Sequence, residues 1–430
     1  MSLHPVRIGL LGFGNVGGPL VGLIAEQRTD IAALTGLDLT VTRVAVNDLT
    51  KARPGLGDAV LTDQASEVIA ADDVDLVVEL VGAVDLAREW IGQALRAGKS
   101  VVTGNKALLA AHGRELFDLA SENNVELLFE ASVAGAIPLM RTLQRSLRGE
   151  PIDRIVGIVN GTTNYMLSAM TEDGADYSEI LLEAQRLGYA EADPTADVEG
   201  LDAQAKAAII ATVAFGVAIT SDDVPVEGIS SVTSIDIATA QRLGFVIKLL
   251  AVVERSGAEA PYEISARVHP TMVPLDHPLA TVRGSFNAVF IEGGAVGELM
   301  LYGRGAGGRP TASAVLGDVI EAAASIAHGS LRQLPGLGDA LVRPPEAAMS
   351  AFYLDLGVDD SPGVLAQVSG AFGANSVSIK SMEQQGLGAE ANLVFITHQA
   401  SEADMAATIE KLTSLPSVKR VGALYRVMGS

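Results

Sequence analysis

The chain has 430 residues, 48% of them hydrophobic, enough for two or three cores rather than one. Its formal charge of −22 argues against nucleic acid and anionic membrane surfaces as partners, because both repel an acidic protein. Cysteine is absent, which removes disulfides, thiolate metal sites and thiol nucleophiles and fits a reducing, cytoplasmic setting.

The N-terminal residues run into a strand without the basic-then-apolar form of a signal peptide. No apolar run reaches the ~18 residues that span a bilayer. Strands are predicted at 6–11, 39–46, 75–80, 100–103 and 125–129, with helices at 16–26, 85–97 and 107–123 between them. That alternation predicts parallel βαβ units with helices on both sheet faces. From about Pro151 the pattern becomes mixed α+β: a strand at 152–159, helices at 178–187 and 202–215, and strands at 245–253, 262–268 and 289–292. A glycine-rich stretch from Gly303 opens a further helix to about His328. Residues 334–345 are rich in Pro and Gly and read as a linker. The remainder reads strand 351–358, helix 364–374, strands 377–384 and 391–397, helix 402–414 and strand 418–427, the ferredoxin-like βαββαβ order.

The expected division is a Rossmann-like dinucleotide-binding domain at 1–135 and an α+β substrate and dimerisation domain at 136–335. The 303–308 loop and the helix after it return to the first of these. A linker at 336–348 and a ferredoxin-like domain at 349–430 complete the chain.

Gly12-Phe13-Gly14-Asn15-Val16-Gly17 lies between the first strand and the first helix. The first glycine permits a tight turn, the second lets the backbone approach a pyrophosphate, and the third allows close helix packing. A glycine-rich turn without a ligand is the bland alternative, and the strand before and helix after argue against it. The tip of the second strand carries Asn47-Asp48, with Lys51 and Arg53 beyond. An acid there suits the ribose of NAD and a base suits the phosphate of NADP, so both cofactors stay open.

Thr103-Gly104-Asn105-Lys106 places Lys106 at the carboxyl edge of the sheet, where such folds bind ligands, although most lysines at helix starts are merely solvated. Glu191-Ala-Asp193-Pro-Thr-Ala-Asp197 gathers three acids before a helix. They suit the helix dipole, and they also suit an α-amino group. Asp202 and Lys206 are four apart on one helix face; alone they would read as a surface pair. The apolar run after Lys206 predicts a buried helix, and a buried lysine normally has a task or a partner.

Asn160-Gly161-Thr162-Thr163-Asn164-Tyr165, Glu191-Ala-Asp-Pro, Asp197-Val-Glu-Gly-Leu-Asp202 with Lys206, and Gly303-Arg-Gly305-Ala-Gly together resemble homoserine dehydrogenase, over the stretch from the first strand to about residue 340. The resemblance implies reversible, NAD- or NADP-dependent interconversion of L-homoserine and L-aspartate 4-semialdehyde, in the biosynthesis of threonine, methionine and isoleucine. It gives Lys206 the acid–base role, with Asp202 beside it and Lys106 near the reacting centre. Glu191, Asp197 and Asp202, with Gly161 and Thr162, would contact substrate. Thr103 would join Lys106 at the cofactor, over which Gly303 and Gly305 would close. Glu130-Ala-Ser-Val133-Ala-Gly135-Ala-Ile137 resembles a loop whose main-chain carbonyls hold a monovalent cation, sodium or potassium. The chain departs from many NADP-using members in carrying Asn47 where they carry arginine. A lysine amine takes a hydroxyl proton more readily when burial and a second nearby cation favour its neutral form.

The C-terminal unit resembles an ACT domain, through Asp359-Asp-Ser-Pro362-Gly363 and Gly373-Ala-Asn375. That implies a small amino-acid effector, threonine first, and edge-to-edge pairing in a homodimer or homotetramer. Truncation before Met349 is expected to leave catalysis largely intact but to abolish threonine inhibition. Two other functions compete. The phosphorylating aldehyde dehydrogenases share a similar cofactor domain but need a cysteine thiolate, which this chain lacks. A non-catalytic amino-acid sensor would not need Asp202 and Lys206 on a buried helix.

Overall fold

The computed structural model describes residues 3–257, 262–331, 336–386 and 390–429. The chain folds into two compact units built from interleaved segments. One comprises Met1–Ile155, Gln204–Val224 and Phe286–Ala340; the other comprises Val156–Ala203, Pro225–Ser285 and Leu341–Ser430. Elements distant in sequence complete each core, among them the helix after the 303–308 loop, which lies in the unit of the N-terminal strands.

The first unit holds a six-stranded sheet in the order Val60–Thr62, Leu37–Ala45, His4–Leu11, Leu76–Glu79, Ser100–Thr103, Leu127–Leu128. Every neighbouring pair is parallel. Sequence order reverses beside His4–Leu11, the doubly wound arrangement in which ligands bind past the carboxyl ends of the strands. Ile8, Leu10, Leu76, Val78 and Val102 are among the strand residues that the sheet gives to one core. The Gly308–His328 helix supplies Ala312, Val315, Val319, Ala322 and Ala323 to the same core, although some 180 residues separate it from the last strand of that sheet.

In the second unit, strands Phe245–Ser256 and Glu263–Pro274 form a long antiparallel pair. The C-terminal strands lie in the order Ile379–Gly386, Glu390–Thr397, Met349–Asp359, Val418–Val427, all antiparallel. Helices Val364–Ala374 and Glu402–Thr413 close that core through Val368, Phe372, Met405 and Leu412. This is the expected ferredoxin-like arrangement.

It is not set apart by an open linker. Residues 338–339 pair with Val217–Ala218, and residues 341–342 pair with Glu263–Ile264. Leu334 and Pro335, at the start of the expected linker, lie outside the described residues. The last strand also runs parallel to Glu263–Pro274, with Thr271 opposite Arg426 and Met272 opposite Val427. The Arg426 guanidinium binds both Glu227 and Glu402 beside that join. Backbone pairing, invisible to composition, ties the C-terminal module into its unit. Among the described residues, no helix is long and apolar enough to cross a membrane.

Candidate active site

The dinucleotide loop shows three glycines under three different constraints. Gly12 has a φ of 100°, and its N–H donates to the Ala45 carbonyl at 2.9 Å. A Cβ on Gly17 would lie 2.2 Å from the Gly12 carbonyl oxygen, so the third glycine is what lets the Gly17–Thr35 helix approach the turn. A Cβ on Gly14 would meet nothing within 4 Å. Two tight glycines around one open face form a cradle that fits a dinucleotide pyrophosphate. Phe13 packs on Gly18, and Val16 occupies the position just before the helix, with no side-chain cap. A Cβ on Gly308 would lie 2.3 Å from the Asn15 carbonyl oxygen, so the 303–308 loop ends against this turn.

Beyond the second strand, the Asp48 carboxylate accepts from the Thr50 hydroxyl at 2.6 Å and the Thr50 N–H at 2.9 Å; these bonds hold its pKa below the usual range. Arg53 folds onto the same loop and donates to the Asp48 and Lys51 carbonyls.

At the carboxyl edge, Thr103 donates to Glu79 at 2.6 Å, and the Asn105 side chain accepts from Leu108 N–H to cap the Lys106–Glu122 helix. Lys106 is therefore the first residue of a capped helix, half-buried at the sheet edge. Glu79 is fully buried, and burial pushes its pKa up to about 7. Sequence reading missed it because it ends the apolar run Leu76-Val-Val.

In the 130–137 loop, the Glu130 carboxylate accepts from Met140 and Arg141 N–H at 2.8 Å each, while its own N–H donates to Asp318. Its side chain thus caps the next turn, and only its main-chain carbonyl remains for an ion. Ala134 and Gly135 both adopt left-handed backbone, with φ of 58° and 56°. Among the described residues no donor reaches the carbonyls of Val133 or Gly135, whereas that of Ile137 accepts from Leu139 N–H at 2.7 Å. Free carbonyls on a buried turn fit a hard monovalent cation. The loop packs on the cofactor-side glycines. Ala136 N–H donates to the Arg304 carbonyl, a Cβ on Gly303 would lie 3.1 Å from Ile137, and a Cβ on Gly135 would lie 2.3 Å from the Gly305 carbonyl oxygen. Asp318, also missed, is pushed up to about 7 by burial and binds Arg141 at 2.8 Å.

In the second unit Asn160 is the organiser. Its Oδ1 accepts from the Thr163 N–H and hydroxyl, capping the Gly161–Asp173 helix that starts at Gly161. Its Nδ2 donates to Asp197 at 2.6 Å and to Asp202 at 2.9 Å. One amide thus gathers two of the expected carboxylates. Thr162 donates to the Tyr189 carbonyl at 2.7 Å, fixing the chain before Glu191. Glu191 itself is exposed and its carboxylate is not drawn into this cluster. Lys206 follows Asp202 by one turn on the Leu201–Phe215 helix, and both residues are buried. A second buried lysine, Lys248, binds Asn164, Ser168 and the Val282 carbonyl; burial pushes its pKa down to about 8.

The chain has close counterparts among known proteins. Residues 12–130 match the family model "Homoserine dehydrogenase, NAD binding domain", residues 138–320 the model "Homoserine dehydrogenase", and residues 352–417 the ACT domain. A homoserine dehydrogenase of Corynebacterium glutamicum is 48% identical over 98% of this chain and 95% of its own. The crystal structure of a homoserine dehydrogenase from Thiobacillus denitrificans superposes with a TM-score of 0.94 at 38% identity, covering 99% of both chains. A hyperthermophilic archaeal homoserine dehydrogenase in complex with NADPH gives 0.64 at 32% identity, over 77% of this chain and all of the other. The chain belongs to the homoserine dehydrogenase family of NAD(P)-dependent oxidoreductases and carries a C-terminal ACT domain.

Proposed function

We propose that Lys206 is the proton-transfer residue in the interconversion of L-homoserine and L-aspartate 4-semialdehyde. The observation that carries this reading is the Asn160 amide, which holds Asp197 and Asp202 together one helical turn before a buried lysine. The nicotinamide, when bound, accepts the hydride from the alcohol carbon or returns it to the aldehyde. Lys206 takes the hydroxyl proton as the alcohol is oxidised and gives it back to the forming alkoxide in reverse. Asp197 holds the substrate ammonium and Glu191 contacts substrate from the exposed loop before it, Gly161 and Thr162 shape the helix start beside it, and Asp202 orients the lysine. Lys106 and Thr103 position the reacting end of the cofactor. Lys206→Ala should lower turnover by roughly 10²–10⁴-fold while cofactor affinity stays near wild type. Near-normal turnover would remove the assignment.

NADP is the preferred cofactor on this reading, because the Asp48 carboxylate is committed to Thr50 while Arg53 lies in the same loop. The carbonyls of Glu130, Val133, Gly135 and Ile137 hold sodium or potassium; replacing all alkali ions with a bulky organic cation should then depress activity. The ACT domain binds threonine at the Pro362-Gly363 turn and Asn375 entry in a homo-oligomer. There it biases a conformational equilibrium through its different affinity for two states.

A further inference from the structure

Asn287, on the Phe286–Gly293 strand, is 1% exposed, and among the described residues neither its Nδ2 nor its Oδ1 has a hydrogen-bond partner. A carboxamide offers two donors and one acceptor, and natural cores rarely leave all of them unmade. Its surroundings are specific. A Cβ on Gly305 would fall 2.0 Å from Nδ2 and 2.1 Å from Cγ, so the loop backbone crosses directly over the amide. The same Gly305 peptide backs onto Gly135, and the Arg304 carbonyl accepts from Ala136. Asn287 therefore lies under the loop that ends against the dinucleotide turn at Asn15.

We propose that Asn287 is a positioning residue for cofactor binding, whose carboxamide hydrogen-bonds the peptide groups of residues 304–307 once that loop settles on the dinucleotide. The inference rests on the reading that this loop covers the cofactor. In this arrangement of the loop the amide is buried and unpaired among the described residues, an unfavourable state. Settling the loop releases that cost, so the amide favours the bound state over the free one, and its energy appears as affinity. The glycine at 305 has its reason here as well: any side chain would occupy the space of the amide.

The test compares wild type with Asn287→Leu, which keeps the shape and removes the polar atoms, and with Asn287→Ala. Nicotinamide fluorescence gives the dissociation constant for NADPH, thermal melting gives the stability of the free protein, and hydrogen exchange follows residues 303–308. Two neutral hydrogen bonds correspond to roughly a tenfold loss of affinity. The expected result for Asn287→Leu is that loss, a free-protein melting temperature equal to or above wild type, and weaker protection of the loop when NADPH is added. An unchanged dissociation constant with the loop protected as in wild type overturns the inference alone. A melting temperature that falls together with affinity in both variants makes the amide a structural prop and also overturns it. A wild-type loop that gains no protection from NADPH overturns the covering-loop reading and the Asn287 inference together.

Discussion

Alanine at Gly17 and alanine at Gly14 should fail in opposite ways, although both glycines belong to one loop. At Gly17 the added Cβ would sit 2.2 Å from the Gly12 carbonyl oxygen, against an ordinary contact of 3.4 Å or more. Helix and turn must then separate by roughly 1 Å, backbone against backbone, with no flexible side chain to yield. Overpacking of that kind costs about 1–3 kcal/mol, and each kcal/mol lowers the melting temperature by roughly 2–4 °C in a unit of 150–250 residues. At Gly14 nothing lies within 4 Å, so stability of the free protein should stay within about 0.5 kcal/mol of wild type. The methyl instead occupies the face the pyrophosphate would approach, and cofactor affinity should drop on the order of a hundredfold. Melting without cofactor and fluorescence titration of NADPH separate the two. A Gly14→Ala protein that binds NADPH normally, or a Gly17→Ala protein as stable as wild type, would refute the reasoning.

Glu79 gives a pH test. Its folded pKa of about 7 lies above the ordinary 4.5, so the folded state holds a proton that the unfolded state gives up, and stability falls as pH rises from about 4.5 to 7. Glu79→Gln should therefore be more stable than wild type at pH 8, by up to about 3 kcal/mol, with the gap closing toward pH 5 in urea titrations; a gap independent of pH would contradict this. Arg53→Ala should narrow the ratio of NADP to NAD affinity about tenfold, and an unchanged ratio would detach Arg53 from cofactor choice. Threonine should slow the full chain and raise its melting temperature; indifference of both leaves the C-terminal module a purely architectural part. A chain ended at residue 348 should aggregate, because it uncovers the strand edge that Arg426 and Val427 pair. A soluble, fully active truncation would show that pairing to be dispensable.

Much of this was legible in the sequence because it rests on local periodicity. The parallel strands, the glycine turn and the βαββαβ order all announce themselves within windows of about ten residues. The Gly161–Asp173 helix did not, since Gly-Thr-Thr-Asn is a poor helix former; the Asn160 cap and burial of Thr163, Met166 and Met170 override that propensity. The Gly297–Arg304 strand was likewise hidden by the glycines that follow it. The burial of Asp202 and Lys206 was legible in the apolar run that follows them, but that Asn160 gathers Asp197 and Asp202 is a contact across about 40 residues that no pattern encodes. Glu79, Asp318 and Asn287 hide for the opposite reason: each is a lone polar residue in an apolar stretch, significant only once its burial is known.

The late helix that finishes the first core has a consequence for synthesis. The parallel sheet is complete when Leu128 has emerged, yet Ala312, Val315 and Val319, which cover it, come almost 200 residues later. At about 5–20 residues per second a ribosome needs roughly 10–40 s to deliver them. Throughout that interval the nascent chain carries part of a sheet face rich in Val, Ile and Leu without its final cover. Recombinant yield should therefore respond to slower translation and to co-expressed chaperones more than the stability of the finished enzyme would suggest.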